Sequence, residues 1–136
     1  MDPYKFEEIV ASILEDMGYS VHVTPRTRDG GRDILAVFKL PVGEILTVVD
    51  CKRYSSSRKI GPDLVQRLLW VAENNDRASR AMIATTTFFT SGAREIEDKY
   101  RWKLTLSDFD QISSWLTRYG CWKNDQESGL WVPLQR

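Results

Sequence analysis

The sequence predicts an α/β fold in which helices flank a central mixed β-sheet. Two segments of alternating apolar and polar character within residues 33–52 predict an antiparallel hairpin. A strand, a helix and another strand follow one another within residues 81–106, and this succession requires a parallel crossover. A length of 136 residues suits one domain with one core.

The elements are predicted in the order α-β-β-β-α-β-α-β-α. Apolar residues recur at helical spacing through residues 6–17, and Gly18 follows as a stop signal, which predicts a first helix over residues 3–17. Alternation predicts a strand over residues 19–24, and a loop rich in Gly, Arg and Asp follows over residues 25–32.

The remaining elements follow from the same signals. They are strands over residues 33–39 and 44–52, a helix over 62–75, a strand over 81–87, a helix over 91–100, a strand over 103–106, and a helix ending near residue 119. Pro62 suits the first turn of its helix. Ser107 and Asp110, three residues apart, predict a capping box at the start of the last helix.

The composition is that of an ordinary globular domain. Hydrophobic residues make up 42% and charged residues 28%, which excludes disordered and fibrous chains. No apolar run is long enough to span a membrane, and the acidic N-terminus lacks the apolar segment of a secretory signal. Cys51 and Cys121 lie too far apart for a disulfide framework or a zinc knuckle. We therefore expect a cytoplasmic protein.

The net charge is zero, but the charges are unevenly distributed. Residues 1–20 carry one Lys and five acids, whereas residues 21–60 carry eight basic residues against four acidic ones. Such a basic segment is typical of a surface that faces phosphate. A solvated mixture of charges would give the same counts, so charge alone leaves both interpretations open.

Three charged residues are predicted to meet at the open end of the hairpin. In the strand 44–52, Asp50 and Lys52 alternate onto one face. If the turn is centred near residues 41–42, Asp33 lies opposite a position near residue 50 on the partner strand. Two adjacent carboxylates repel each other, and a cation such as Mg²⁺, which takes carboxylate oxygens, would explain their proximity. An ordinary surface ion pair at a strand edge is the alternative.

Several motifs occur in a fixed order along the chain. They are Phe6-Glu7, Gly18-Tyr19, Asp29-Gly30-Gly31-Arg32-Asp33, Asp50-Cys51-Lys52-Arg53-Tyr54, Ile60-Gly61 and the stretch over residues 84–90. This ordered set resembles the Mrr-type catalytic domain of the PD-(D/E)XK nucleases. The similarity covers residues 4–118 and implies a restriction-endonuclease-like fold.

The resemblance implies a catalytic set of Glu7, Asp33, Asp50 and Lys52. It also implies that Asp33, Asp50 and the Cys51 carbonyl hold Mg²⁺, or Mn²⁺ as a substitute, and that Glu7 acts through water or a second ion. Pattern alone does not choose between Glu7 and Glu8. The family usually has Gln or Glu where Asp50 stands, and the shorter Asp keeps the carboxylate.

Further residues are candidates for contact with DNA. Basic side chains near the motifs would touch phosphates without reading sequence, and they are Arg26, Arg28, Arg32, Arg53, Arg58 and Lys59. Gln66 lies in the helix after the catalytic strand, where related nucleases sometimes place a site residue. An exposed helical glutamine is the more ordinary interpretation.

These features predict a nuclease domain over residues 1–119 and a C-terminal extension of unknown role over residues 120–136. The predicted function is Mg²⁺-dependent hydrolysis of DNA in restriction or defence. A resolvase of branched DNA and a catalytically silent DNA-binding module are the alternatives. Besides DNA, we expect a second copy or a target-recognition partner, because one small site cuts one strand and Trp122 and Trp131 are of a type enriched at interfaces. No membrane partner is expected.

Overall fold

The computed structural model describes residues 3–24, 33–55, 57–74, 77–118, 122–124 and 131–133. Its elements are α1 (Pro3–Asp16), β1 (Ser20–Val23), β2 (Ile34–Leu40), β3 (Gly43–Lys52), α2 (Pro62–Asn74), β4 (Arg80–Thr85), α3 (Ser91–Lys99), β5 (Leu104–Ser107), α4 (Phe109–Arg118), β6 (Trp122–Asn124) and β7 (Trp131–Pro133). The predicted order of elements is confirmed through α4. Among the described helices, none is long and apolar enough to cross a membrane.

Strands β1 to β5 form one sheet in the order β1-β2-β3-β4-β5, while β6 and β7 form a separate antiparallel pair. The first three strands of the larger sheet are antiparallel, and β3, β4 and β5 are parallel. The predicted mixed sheet is therefore confirmed. The three parallel strands end at Lys52, Thr85 and Ser107, and we call this side of the sheet the carboxyl edge.

The hairpin of β2 and β3 has the predicted two-residue turn. Leu40 pairs with Gly43, so residues 41–42 form the turn, and Gly43 has a φ of 145°, which a residue with a side chain rarely adopts. The register runs without interruption from this turn to the open end. At that end Ile34 pairs with Val49, and Asp33, one residue before β2, lies beside the last residues of β3, since its N–H donates to the Val49 carbonyl at 2.7 Å.

The core lies in two apolar clusters, one on each face of the sheet. Helices α1 and α4 pack against the face that carries Val49, and helices α2 and α3 pack against the face that carries Val48. Both valines are fully buried, as the alternation in β3 requires for a sheet covered on both sides. Burying one such aliphatic side chain contributes about 1.5–3 kcal/mol. The two layers bury β3 from Thr47 to Asp50, near the end of the strand.

The start of α4 differs from the prediction. Ser107 is the last residue of β5, paired with β4, and is completely buried; in the described structure its hydroxyl has no hydrogen-bond partner. The next residue, Asp108, caps the helix instead, since the Gln111 N–H donates to Asp108 Oδ1 at 3.0 Å. The predicted capping box of Ser107 and Asp110 is wrong because strand pairing keeps Ser107 in the sheet.

Candidate active site

Asp33, Asp50 and Lys52 come together where β3 ends at the carboxyl edge. Lys52 Nζ lies 3.3 Å from Asp50 Oδ1. Asp33 Oδ2 accepts a hydrogen bond from the Cys51 N–H at 2.7 Å, which orients the carboxylate beside β3. The hairpin register thus places the three side chains as the sequence predicts, while their catalytic roles stay predictions.

Asp50 is an unusually placed carboxyl, since its residue is 2% exposed. The pKa of Asp50 is raised to about 7: burial is the largest cause, the nearby Lys52 ammonium opposes it, and the charge and hydrogen bonding of Asp33 add to the rise. One lysine therefore does not fully compensate the buried pair of carboxyls. A proton or a bound cation is needed at neutral pH.

The chemistry of these donors fits a hard divalent cation. Mg²⁺ prefers oxygen ligands and is commonly held by one or two carboxylates together with water and substrate phosphate. Among the described residues, no group of three or more His, Cys, Asp or Glu side chains is placed to hold a metal. The Cys51 carbonyl points to the same side of β3 as its N–H, toward Asp33, because the two groups of one strand residue are directed alike.

Burial distinguishes the two adjacent glutamates of α1. Glu7 is 8% exposed, whereas Glu8 is exposed to solvent. Burial raises the pKa of the Cys51 thiol well above its ordinary value, and the negative charges of Asp33, Asp50 and Glu7 raise it further. Glu7 therefore lies near the Cys51 thiol, on which the two aspartates also act. Cys51 is partly accessible as a residue, but its thiol is protonated and is not a nucleophile.

The predicted DNA-contact residues fall into two groups. Arg53, Arg58 and Lys59 are exposed in the segment that leaves β3. Arg26, Arg28 and Arg32 lie outside the described residues. Gln66 is exposed on α2, and in the described part of the chain no hydrogen bond or ion pair joins it to Asp33, Asp50 or Lys52.

Two threonines that the sequence interpretation did not single out support the end of β3. The Thr85 hydroxyl donates to the Lys52 carbonyl at 2.7 Å, and the Thr86 N–H donates to the same oxygen at 3.3 Å. Thr86 also uses its hydroxyl to hold the backbone of Tyr54. The only sequence signal for these threonines is that they are polar residues at the end of an otherwise apolar strand. Their partners lie about thirty residues away in the chain, so the contacts could not be read from local pattern.

A cleft of about 400 Å³ lies elsewhere on the carboxyl edge, between α3, β5 and α4. Arg94, Glu97 and Asp108 line it, and these three side chains form ion pairs with one another at 2.7 and 2.8 Å. The charges of these three side chains are satisfied within the protein. We therefore assign the candidate site to the acidic pair of the hairpin and not to this cleft.

The sheet topology and the acidic pair beside a lysine define a restriction-endonuclease-like fold. The chain belongs to the restriction endonuclease family Mrr_cat, which it matches over residues 1–116. A sequence relative is the uncharacterized protein y4cE of Sinorhizobium fredii, 26% identical over 127 residues. That alignment covers 93% of this chain and 32% of the relative, so this chain spans about a third of the relative's length.

Two solved structures have the same fold. The DNA modification-dependent restriction endonuclease AspBHI superposes with a TM-score of 0.71 and 19% identity, over 86% of this chain and 31% of that one. The MspJI restriction endonuclease, solved in complex with a 27-mer oligonucleotide, superposes with a TM-score of 0.64 and 16% identity, over 85% of this chain and 28% of that one. In both proteins the matching part is a minor fraction of the chain.

Proposed function

We propose that this domain is a Mg²⁺-dependent endonuclease that hydrolyses phosphodiester bonds of DNA in restriction or defence. One observation carries the proposal: two carboxyls and a lysine converge at a strand end, and burial raises the pKa of Asp50 to about 7. The family match and the two restriction endonucleases of similar fold support DNA as the substrate. Shifted pKa values of this kind are concentrated at functional sites.

Asp33, Asp50 and the Cys51 carbonyl would hold the cation. When bound, Mg²⁺ supplies positive charge that polarises the scissile phosphate and favours ionisation of water. Asp50 must lose its proton to bind the ion, and the adjacent Lys52 ammonium favours the ionised form. The hydrogen bond from the Cys51 N–H keeps Asp33 turned toward the same place.

Lys52 is the residue that would act on the reacting groups. Its ammonium is a charged donor next to the acidic pair, suited to orient the attacking water or to stabilise negative charge that develops on the phosphate. The Thr85 and Thr86 bonds to its carbonyl hold the strand end in place. Glu7, buried in α1, would act through water or a second ion.

Plasmid nicking tests this function directly. Supercoiled plasmid should be nicked with Mg²⁺ or Mn²⁺ and left intact in excess chelator, while Ca²⁺ should support binding without cleavage. Cutting that persists undiminished in chelator would contradict the role of the metal. A parallel assay on branched duplexes separates the resolvase alternative, since a resolvase would cut a four-way junction in preference to linear duplex.

A second copy or a target-recognition partner remains part of the proposal, because one site cuts one strand. Light scattering of the protein with and without duplex DNA measures the number of copies bound. A monomer that makes double-strand breaks in one binding event would contradict this part, without affecting the assignment of the site.

A further inference from the structure

One exposed arginine beside the site is held in a defined position. The Arg58 guanidinium carbon lies 4.0 Å from the centre of the Tyr54 ring, which is the geometry of a cation–π contact. The Tyr54 side chain is half-buried and packs against the apolar cluster of α2 and α3. The ring is therefore fixed by the core, and the guanidinium rests on it.

The backbone of Tyr54 is tied to the carboxyl edge by a single hydroxyl. Thr86 Oγ1 accepts a hydrogen bond from the Tyr54 N–H at 3.0 Å and donates one to the Tyr54 carbonyl at 2.8 Å. The Thr86 N–H also donates to the Lys52 carbonyl at 3.3 Å. Thr86 thus fixes Tyr54 and Lys52 relative to each other, beyond the last paired residues of β3 and β4.

A comparison with Arg94 shows what is unusual about Arg58. Arg94 also lies over an aromatic ring, at 5.1 Å from the centre of Phe89, but it donates to two carboxylates and to a main-chain carbonyl. Arg58 is exposed and forms no ion pair with any acid in the described part of the chain. Its donors face solvent and can bind an anion.

We infer that Arg58 is a preoriented contact to a phosphate of the DNA backbone and that Tyr54 and Thr86 are the positioning residues that hold it beside Lys52. The inference rests on the proposed function, because the phosphate belongs to the DNA that the site would cut. Arginine binds phosphate oxygens through paired donors, and a guanidinium already held on a ring loses less conformational freedom on binding. Contacts of this kind fix the register of the DNA on the protein and do not read its sequence.

The test is the affinity for a fluorescent duplex oligonucleotide in chelator, measured by anisotropy between 50 and 200 mM salt. Loss of one phosphate contact lowers the slope of log affinity against log salt by about 0.9. Arg58→Ala should show this change. Tyr54→Leu keeps the charge, so it should keep the slope while lowering affinity by about two- to fivefold, the size of an exposed cation–π contact. Tyr54→Phe should bind like the wild type.

A double variant and a matched control make the test decisive. Because the ring acts only through the guanidinium, Tyr54→Leu should have no further effect in the Arg58→Ala background. Thr86→Val should weaken binding as Tyr54→Leu does, and Thr86→Ser should restore it. Arg101 is the control, because its guanidinium carbon also lies near an aromatic ring, 5.9 Å from the centre of Trp102. It precedes β5 and so lies at the opposite edge of the sheet. Arg101→Ala should leave affinity unchanged.

The outcomes separate this inference from the proposed function. A wild-type salt slope for Arg58→Ala, or a full additional loss from Tyr54→Leu in its absence, would overturn the inference while leaving cleavage by the site intact. Wild-type protein that neither binds duplex nor nicks plasmid would overturn the proposed function itself. If Thr86→Val does not fold, the double-mutant cycle of Tyr54→Leu and Arg58→Ala tests the same contact.

Discussion

Two clusters at the carboxyl edge hold the same charges, two carboxylates and one cation, but satisfy them differently. In the cluster of Arg94, Glu97 and Asp108, each acid binds the guanidinium through one oxygen. The second oxygen of each accepts a main-chain N–H, from Leu106 at 2.8 Å and from Gln111 at 3.0 Å. All four carboxylate oxygens therefore have a donor within the protein.

In the hairpin site the carboxyls instead face each other. Lys52 contacts Asp50 at 3.3 Å, Asp33 receives one main-chain N–H, and the remaining interaction between the acids raises the pKa of Asp50. The negative charge of the carboxylates is thus fully compensated in the Arg94 cluster and only partly compensated in the hairpin site. Incomplete compensation in a buried position is typical of functional sites, whereas complete compensation is typical of structural ion pairs.

The largest effect expected from this difference is on catalysis. Replacing Lys52 by Ala leaves both carboxyls in place, and the loss of one transition-state contact should slow plasmid nicking by about 10²–10³-fold. Lys103, which lies just before β5, is the matched control. It is also a lysine paired with an acid, Glu73 at 2.9 Å, but this ion pair lies away from the site. Lys103→Ala should nick at the wild-type rate. Wild-type nicking by Lys52→Ala would remove the hairpin cluster as the catalytic centre.

The second prediction concerns stability against pH without divalent cations. The folded pKa of Asp50 is about 7 and its ordinary value is 3.8, so the unfolded chain loses this proton first and stability falls as pH rises from about 4 to 7. Each pKa unit corresponds to 1.36 kcal/mol, so Asp50→Asn should raise the free energy of unfolding at pH 8 by roughly 2–4 kcal/mol. At pH 4 the gain should vanish.

Urea unfolding of both proteins at the two pH values in chelator measures this difference. Added Mg²⁺ should stabilise the wild type and not the variant, because the amide lacks the ligand charge. An equal effect of Asp50→Asn at pH 4 and pH 8 would show that the carboxyl is not the source of the pH dependence.

The third prediction concerns the cluster of Arg94, Glu97 and Asp108, where a substitution should affect stability and not catalysis. Arg94→Ala leaves Glu97 and Asp108 without their cation, and should lower the free energy of unfolding by about 1–2 kcal/mol, since all three side chains are partly accessible to solvent. The rate of plasmid nicking by the folded variant should stay at the wild-type level. A rate loss comparable to that of Lys52→Ala would mean that the cleft beside Arg94 takes part in catalysis.

The smallest expected effect distinguishes the two glutamates of α1. Glu7→Gln should lower the nicking rate by about tenfold, the scale of a lost contact around a metal site. Glu8→Gln, one position away and exposed, is the control and should have no effect. Nicking assays of the two variants at saturating Mg²⁺ measure the difference. Equal rates for both would leave the role of Glu7 purely structural.

Local patterns in the sequence determined most of the fold. Helical spacing and the stop at Gly18 define α1, whose last helical residue is Asp16. The two-residue turn of the hairpin determines the register of β2 and β3, and this register brings Asp33 beside the end of β3 that carries Asp50. These features could be predicted because they depend on residues that are neighbours in the chain or are related by a tight turn.

Packing between distant segments decided the rest. Only the contact of α1 with the sheet shows that Glu7 is buried and Glu8 is not, since both fit the same helical pattern. The raised pKa of Asp50 likewise comes from desolvation by the surrounding layers. Thr86 meets Tyr54 from 32 residues away, because parallel strands bring the ends of β3 and β4 together. Burial and long-range hydrogen bonds depend on the whole fold, so no periodicity in the sequence could show them.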